Sequence, residues 1–169
     1  YAGLAQAEEG PTPSSYIPTS GSTRTRAAET LTIPSANLPY DSTNMSIQMD
    51  GRMTYADLSE SIAVQPFQWE NPPFERIATY LQTTSAWTGR LLFRQTTGGV
   101  TDDVISDVTA YSPGINVPFN IASRHGSTFL NGATDGTALT ANTTPTALPD
   151  LSTTDLELAY DYMGTIKTF

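Results

Sequence analysis

Between residues 44 and 55 apolar and polar side chains take turns. Met45, Ile47, Met49, Gly51, Met53 and Tyr55 alternate with Ser46, Gln48, Asp50, Arg52 and Thr54. A period of two sustained over a dozen residues predicts a long strand with one buried face. The same pattern returns downstream. Residues 74–82 set Ile77, Thr79 and Leu81 against Arg76, Ala78 and Tyr80, and residues 87–95 read as the next strand. Thr96-Thr97-Gly98-Gly99 is a hairpin turn, followed by a strand over 100–110 with Val104, Ser106 and Val108 opposite Asp103, Ile105 and Asp107. Residues 115–122 alternate at Val117, Phe119 and Ile121, Arg124-His125-Gly126 reads as a turn, and 127–130 as a short strand. Asn131-Gly132 is the strongest two-residue turn signal, because both residues accept positive φ. A Thr-, Ala- and Pro-rich loop over 133–149 leads to a strand at 153–160, alternating at Leu156, Leu158 and Tyr160, and to a last strand at 162–169.

The remaining stretches are read from their breakers. Pro66, Pro72 and Pro73 surround Phe67 and Trp69, so 65–73 is expected to be loop, and residues 57–60 could cap one helical turn. Residues 34–42 form a loop. Residues 23–33 read as a strand entering the main body, with a short helix around Ala27 as the competing assignment. Residues 12–22, with two prolines, a glycine and six Ser or Thr side chains, are an extended connector, and residues 2–8 a short strand. Many strands, turns about every ten residues and no crossover helix predict an all-β fold, an antiparallel β-sandwich or barrel.

Composition narrows the partners. The 169 residues hold 17 acids against eight Lys plus Arg, with Lys167 the only lysine, a net charge of -9 and a pI near 4.3. Such a surface repels phosphate backbones and anionic lipid, so no nucleic-acid partner is expected. No apolar run reaches the ~18 residues of a membrane span, so no membrane insertion is expected either. There is no cysteine, which excludes disulfides and thiolate metal sites. Neutral polyols, sugars and proteins remain as partners. The chain opens at Tyr1 rather than Met and ends on Phe169, which reads as a piece of a longer or processed polypeptide.

Reactive constellations are sparse. His125 is the only histidine, too few for a zinc site, and no Gly-x-Ser-x-Gly elbow accompanies it. A hydrolase would need two converging carboxylates. Asp155 and Glu157, with Asp161 beyond, are the best local match, but their alternation with Leu156 and Leu158 puts them on the solvent face. Calcium would need six to eight oxygens; Asp102, Asp103 and Asp135 are candidates without a spaced ligand ladder. No catalytic residue and no resident cofactor is therefore assigned, and the chain is read as a non-enzyme. The most informative side chains are Trp69 and Trp87. An exposed indole stacks on the apolar face of a sugar, whereas a buried one packs a core or a subunit contact. Gln68, Asn71 and Arg90 would supply the polar half of a glycan site with them.

Two stretches resemble a known family. Residues 6–29, QAEEGPTPSSYIPTSGSTRTRAAE, resemble the end of one β module and the linker to the next in structural proteins of tailed phages and phage-like particles. The pieces TTGGV at 96–100, GINVPFNIASRHGSTFLNG at 114–132 and GTIKTF at 164–169 resemble the laminin G-like, concanavalin A-like jelly roll that follows such a linker. The resemblance implies three parts: residues 1–10 as the last strand of a preceding carbohydrate-binding-like module, 11–22 as an extended linker, and 23–169 as a jelly-roll β-sandwich. It further implies a spike, fibre or decoration protein at the virion surface, assembled as a homo-oligomer with other virion proteins and attaching to a host surface glycan. The alternatives are a purely architectural docking role and, behind it, a polysaccharide hydrolase.

Overall fold

The computed structural model describes residues 31–56, 63–84, 86–160 and 162–169. Two antiparallel sheets stack face to face. The first has six strands in the order β1 (Leu31–Ile33), β10 (Leu156–Tyr160), β3 (Ala63–Asn71), β4 (Glu75–Gln82), β5 (Leu91–Thr97), β6 (Val100–Ile105). The second has five: β11 (Gly164–Thr168), β2 (Asn44–Tyr55), β7 (Gly114–Gly126), β8 (Leu130–Thr134), β9 (Thr137–Ala138). This is the all-β sandwich that the alternation predicts. A 3-10 turn, Ser35–Asn37, lies in the loop after β1. Among the described residues no helix is long and apolar enough to cross a membrane.

The strand expected over 23–33 is seen as Leu31–Ile33, and its earlier part lies outside the described residues, as do the helical turn at 57–60 and everything expected of residues 1–22.

The core forms where the inward faces meet. Met45, Ile47, Met49, Met53 and Tyr55 of β2, with Phe119 and Ile121 of β7, face Phe67, Trp69, Ile77, Leu81, Leu91, Phe93, Leu156 and Leu158 of the other sheet. Gly132 of β8 shows how close the two sheets come. A Cβ at that position would run into the Phe93 ring of the facing sheet. Glycine is required there by packing rather than by backbone angle.

Four expectations are corrected. Residues 65–71 are not a loop: β3 runs through them as an interior strand between β10 and β4, and only Pro72 and Pro73 lie in a turn. Pro66 is tolerated because the register slips beside it. Val64 pairs with Leu81 and Phe67 with Thr79, so Gln65 and Pro66 together stand against Tyr80. A bulge of this kind absorbs a residue that cannot donate to the ladder. Second, Arg124-His125-Gly126 is no turn, because β7 stays paired with β2 as far as Gly126 opposite Asn44. Third, Asn131-Gly132 lies inside β8; the two-residue turn is Asp135-Gly136, where both φ values are positive, at 47° and 81°. Residues 127–130 are accordingly mostly the preceding turn. Fourth, residues 87–90 are a turn and β5 begins at Leu91, while β6 ends at Ile105, which leaves Val108 in a loop. The hairpin at Gly98-Gly99 stands as expected, with φ of 58° and 81°.

Candidate functional site

The outward positions of the six-stranded sheet carry an ordered polar surface. One row crosses all six strands: Thr32, Glu157, Gln68, Ala78, Arg94, Asp103. The next row towards the Gly98-Gly99 turn holds Glu70, Arg76, Thr96 and Thr101, and the row on the other side holds Tyr80, Leu92 and Ile105.

These side chains are tied together. Arg94 donates from Nε to Asp103 Oδ1 at 2.8 Å and from Nη2 to Oδ2 at 2.7 Å, a two-pronged pair. Its guanidinium also lies over the Tyr80 ring, 5.3 Å from the centroid. Arg76 donates from Nη1 to the Tyr80 hydroxyl at 3.0 Å and pairs through Nη2 with Glu70. Hydrogen bonding to Glu70 raises the pKa of Arg76, and bonding to Asp103 raises that of Arg94, so both cations are locked in charged form. The pairs remain partly open to solvent. Arg94 spends two of its five N–H donors on Asp103, which leaves donors for a ligand.

The turn between β4 and β5 brings two more groups towards this face. Trp87 N–H donates to Thr84 O at 2.8 Å and Arg90 N–H to Trp87 O at 3.0 Å, a helical-type turn that sets positions 87 and 90 on one side. The Arg90 guanidinium lies 4.9 Å from the centroid of the Trp87 ring. Gly89, with φ of 77°, pins the turn to the loop after β6 by accepting from the N–H groups of Ala110 and Tyr111. Arg90 precedes Leu92 by two residues on the outward side, so the pair sits at the end of the same face.

The residues singled out in the sequence thus separate. Trp87 is 44% exposed, with the Arg90 guanidinium over its ring. Gln68 belongs to the central outward row, and Asn71 is exposed at the far end of β3. Trp69 is 1% exposed: it packs edge-on against Tyr40 with ring centres 6.0 Å apart, and its Nε1–H donates to Thr154 O at 2.7 Å. Its ring has no free face for a ligand. The misread strand β3 is the reason, since alternation sends Gln68 out and Trp69 in. Arg76, Tyr80 and Arg94 carry no site signal in the sequence, and Asp103 is a candidate there only for calcium. The two-residue turn could have found the last pair, because equal steps back from Gly98-Gly99 bring 94 opposite 103.

Asp102, Asp103, Asp135 and Asp155, weighed for calcium or catalysis, are engaged by protein donors. Asp102 accepts from Asn142 Nδ2 at 3.2 Å and from Thr146 N–H at 2.8 Å. Asp135 Oδ1 accepts from the Tyr111 hydroxyl at 3.0 Å and from Asn120 N–H at 3.1 Å. Asp155 accepts from Ser35 N–H at 2.8 Å, while Glu157 stands in the outward row and Asp161 lies outside the described residues. Among the described residues no three His, Cys, Asp or Glu side chains gather as a metal site. His125 is not an exposed turn residue but a core one. Its Nε2 shares a 3.0 Å hydrogen bond with Ser123 Oγ, Nδ1 has no partner among the described residues, and burial pushes its pKa down to about 3. The second sheet carries a separate groove of about 720 Å³ lined by Asp50, Arg52, Asn120, Asp135 and Lys167, among others.

Comparison with known proteins bears on the fold. No family model and no curated protein matches the chain. Solved structures do. Domains LG4-5 of the mouse laminin α1 chain align over 76% of this chain with a TM-score of 0.56 at 14% identity, and the chain spans 31% of that one. Xenopus laevis galectin-Ib aligns over 82% of this chain and 98% of its own length, with a TM-score of 0.52 at 8% identity. A toad ovary galectin, solved as a complex with thio-digalactose, aligns over 83% and 98%, again with a TM-score of 0.52 at 8% identity. The fold is a jelly-roll β-sandwich of the laminin G and galectin type.

Proposed function

We propose that this chain is a lectin-like module that holds a glycan on the outward face of its six-stranded sheet and catalyses nothing. The observation that carries the reading is the partly exposed Arg94–Asp103 pair on the outward sheet face, its guanidinium over the ring of Tyr80, which is itself only 9% exposed, with the exposed Trp87 ring at the end of the same face. Sugars are recognised by planar charged groups that give and take several hydrogen bonds beside an aromatic ring. The galectin-type fold, one example of which was solved with thio-digalactose, supports it.

The finer part of the reading places the module on a virion surface, as a homo-oligomeric spike, fibre or decoration protein attaching to a host glycan. Its support is the resemblance of residues 6–29, which also motivates a preceding β module ending at residues 1–10, a linker at 11–22 and the sandwich at 23–169. A glycan array probed with the intact chain and with Arg94→Ala tests the binding. The wild type is expected to retain a glycan class that the variant loses. No retention by the wild-type chain overturns the reading.

An architectural role is the second reading. It is favoured by exposed Trp87, Val108, Ile115, Tyr160 and Met163, all in or beside connections at one end of the sandwich. Particles that contain the chain but bind no glycan through it would select this role.

A further inference from the structure

Three of the chain's eight basic residues, Arg76, Arg90 and Arg94, belong to the outward face of the six-stranded sheet or its end. Two of them are neutralised by carboxylates, Glu70 and Asp103. Arg90 is not: among the described residues no carboxylate lies within ion-pair distance of it. By register the acid beside it is Asp107, since the preceding Ser106 N–H donates to Leu91 O. Asp107 is exposed and forms no ion pair with Arg90.

Arg90 is nevertheless held in place. Its guanidinium rests on the Trp87 ring, in a turn fixed by backbone hydrogen bonds on both sides. The guanidinium meets the indole through its carbon, and no described residue accepts from its side-chain N–H groups, so they can grip a carboxylate with two parallel hydrogen bonds. Beside it the indole offers apolar surface that suits the C–H face of a pyranose. An ordered cation with no counter-ion among the described residues, next to an exposed aromatic ring, is half of a recognition site for a sugar acid.

We infer that the glycan is acidic, and that a sugar carboxylate docks on Arg90 while the ring of that sugar lies against Trp87. The inference rests on the glycan-holding reading above and adds the ligand class. The net charge of -9 does not oppose it at close range. Charges farther away than roughly 8–10 Å are screened at physiological salt, so contact partners decide. Asp107 is the one described acid placed to weaken the site.

The test uses the whole chain and three matched disaccharides: one ending in a uronic acid, its carboxyl-reduced neutral counterpart, and a neutral disaccharide carrying a sulfate. Affinities are read by titration calorimetry or ligand-observed NMR. The uronate is expected to bind about tenfold or more tighter than its reduced form, as a charge-assisted two-pronged contact implies. R90Q is expected to abolish that preference and D107N to enlarge it, with melting temperatures confirming that both variants fold. Equal affinity for the uronate and its reduced form overturns the inference and leaves glycan holding intact. So does a preference that survives R90Q, or a sulfated sugar binding as tightly as the uronate. If no sugar on a broad array is retained either, glycan holding itself falls, and the inference with it.

Discussion

Strands β3, β4 and β5 present Phe67, Trp69, Ile77, Leu81, Leu91 and Phe93 on one side and Gln68, Glu70, Arg76, Tyr80 and Arg94 on the other. The first set is dry and interlocked with the facing sheet, as the Gly132–Phe93 contact shows. The second is partly exposed apart from the buried Tyr80, and is organised by ion pairs and a cation over a ring. Burial of apolar area is the dominant stabilising term and accounts for the inner set. It does not account for the outer one. Open ion pairs are worth only about 0.2–1 kcal/mol each. The linked set Glu70, Arg76, Tyr80, Arg94 and Asp103 therefore points to recognition rather than to folding. The two tryptophans make the same contrast within one residue type, one sealed in the core and one at the surface.

The contrast is broken most directly at those tryptophans. Trp69→Ala opens a cavity in the core and unpairs Thr154 O, and is expected to cost about 3–5 kcal/mol in urea-induced unfolding. Trp87→Ala should stay within about 0.5 kcal/mol of wild type. Comparable losses at both positions would mean that the surface indole is part of the folding core, and the division between the faces would fail.

His125 sharpens the inner side. Its pKa falls from an ordinary value near 6.5 to about 3 in the folded chain, because burial penalises the charged ring. As pH drops below about 6.5, the unfolded chain takes up a proton that the folded chain refuses. Stability therefore falls with pH, by up to about 1.4 kcal/mol per pH unit from this group until the folded pKa is reached. Denaturant midpoints of wild type and His125→Asn across pH 4.5–7.5 isolate the component, because the carboxylates titrate in both. The variant is expected to be the less stable at the upper end and to close the gap as pH falls. Parallel curves would place the imidazole in contact with water.

Gly132→Ala probes the closeness of the two sheets. The added methyl meets the Phe93 ring, and overpacking of this kind costs about 1–3 kcal/mol. Phe93→Leu in the same chain should recover part of that loss, so the pair is non-additive in a double-mutant cycle. Strict additivity would show that the sheets part easily at this point.

Much of the inner face can be read along the chain, and little of the outer one. β2 announces its buried side because burial alternates from Asn44 to Met49 as the sequence does, whereas in β4 the whole stretch from Ile77 to Leu81 is buried and only the register tells its two sides apart. β3 is hidden by Pro66, since only the register beside Tyr80 reveals that the missing donor falls at a bulge. Asn131-Gly132 has the chemistry of a turn, yet Phe93 of the other sheet selects glycine there and the bend moves to Asp135-Gly136. His125 looks like a turn residue until β7 is seen paired along the whole of β2. The outer network depends on registers between strands. Arg94 and Asp103 can be matched by counting back from a two-residue turn, whereas Tyr80 meets Arg94 only through the β4–β5 register, which the long connection over residues 83–90 does not fix.

The smallest effect on folding bears hardest on the outer face. Arg94→Ala, Asp103→Ala and the double variant, compared in a cycle, are expected to show a coupling of about 0.2–1 kcal/mol, as for other partly open ion pairs. The same three variants should lose glycan retention far out of proportion to that figure. Removing either partner also frees Tyr80 from its ordered neighbour, so each single change should abolish retention as fully as the double. A coupling of several kcal/mol with retention unchanged would make Arg94 and Asp103 a structural clasp, and the outward face would then need no ligand to explain it. A small coupling with retention lost separates the two faces of the sheet into one that folds the chain and one that uses the fold.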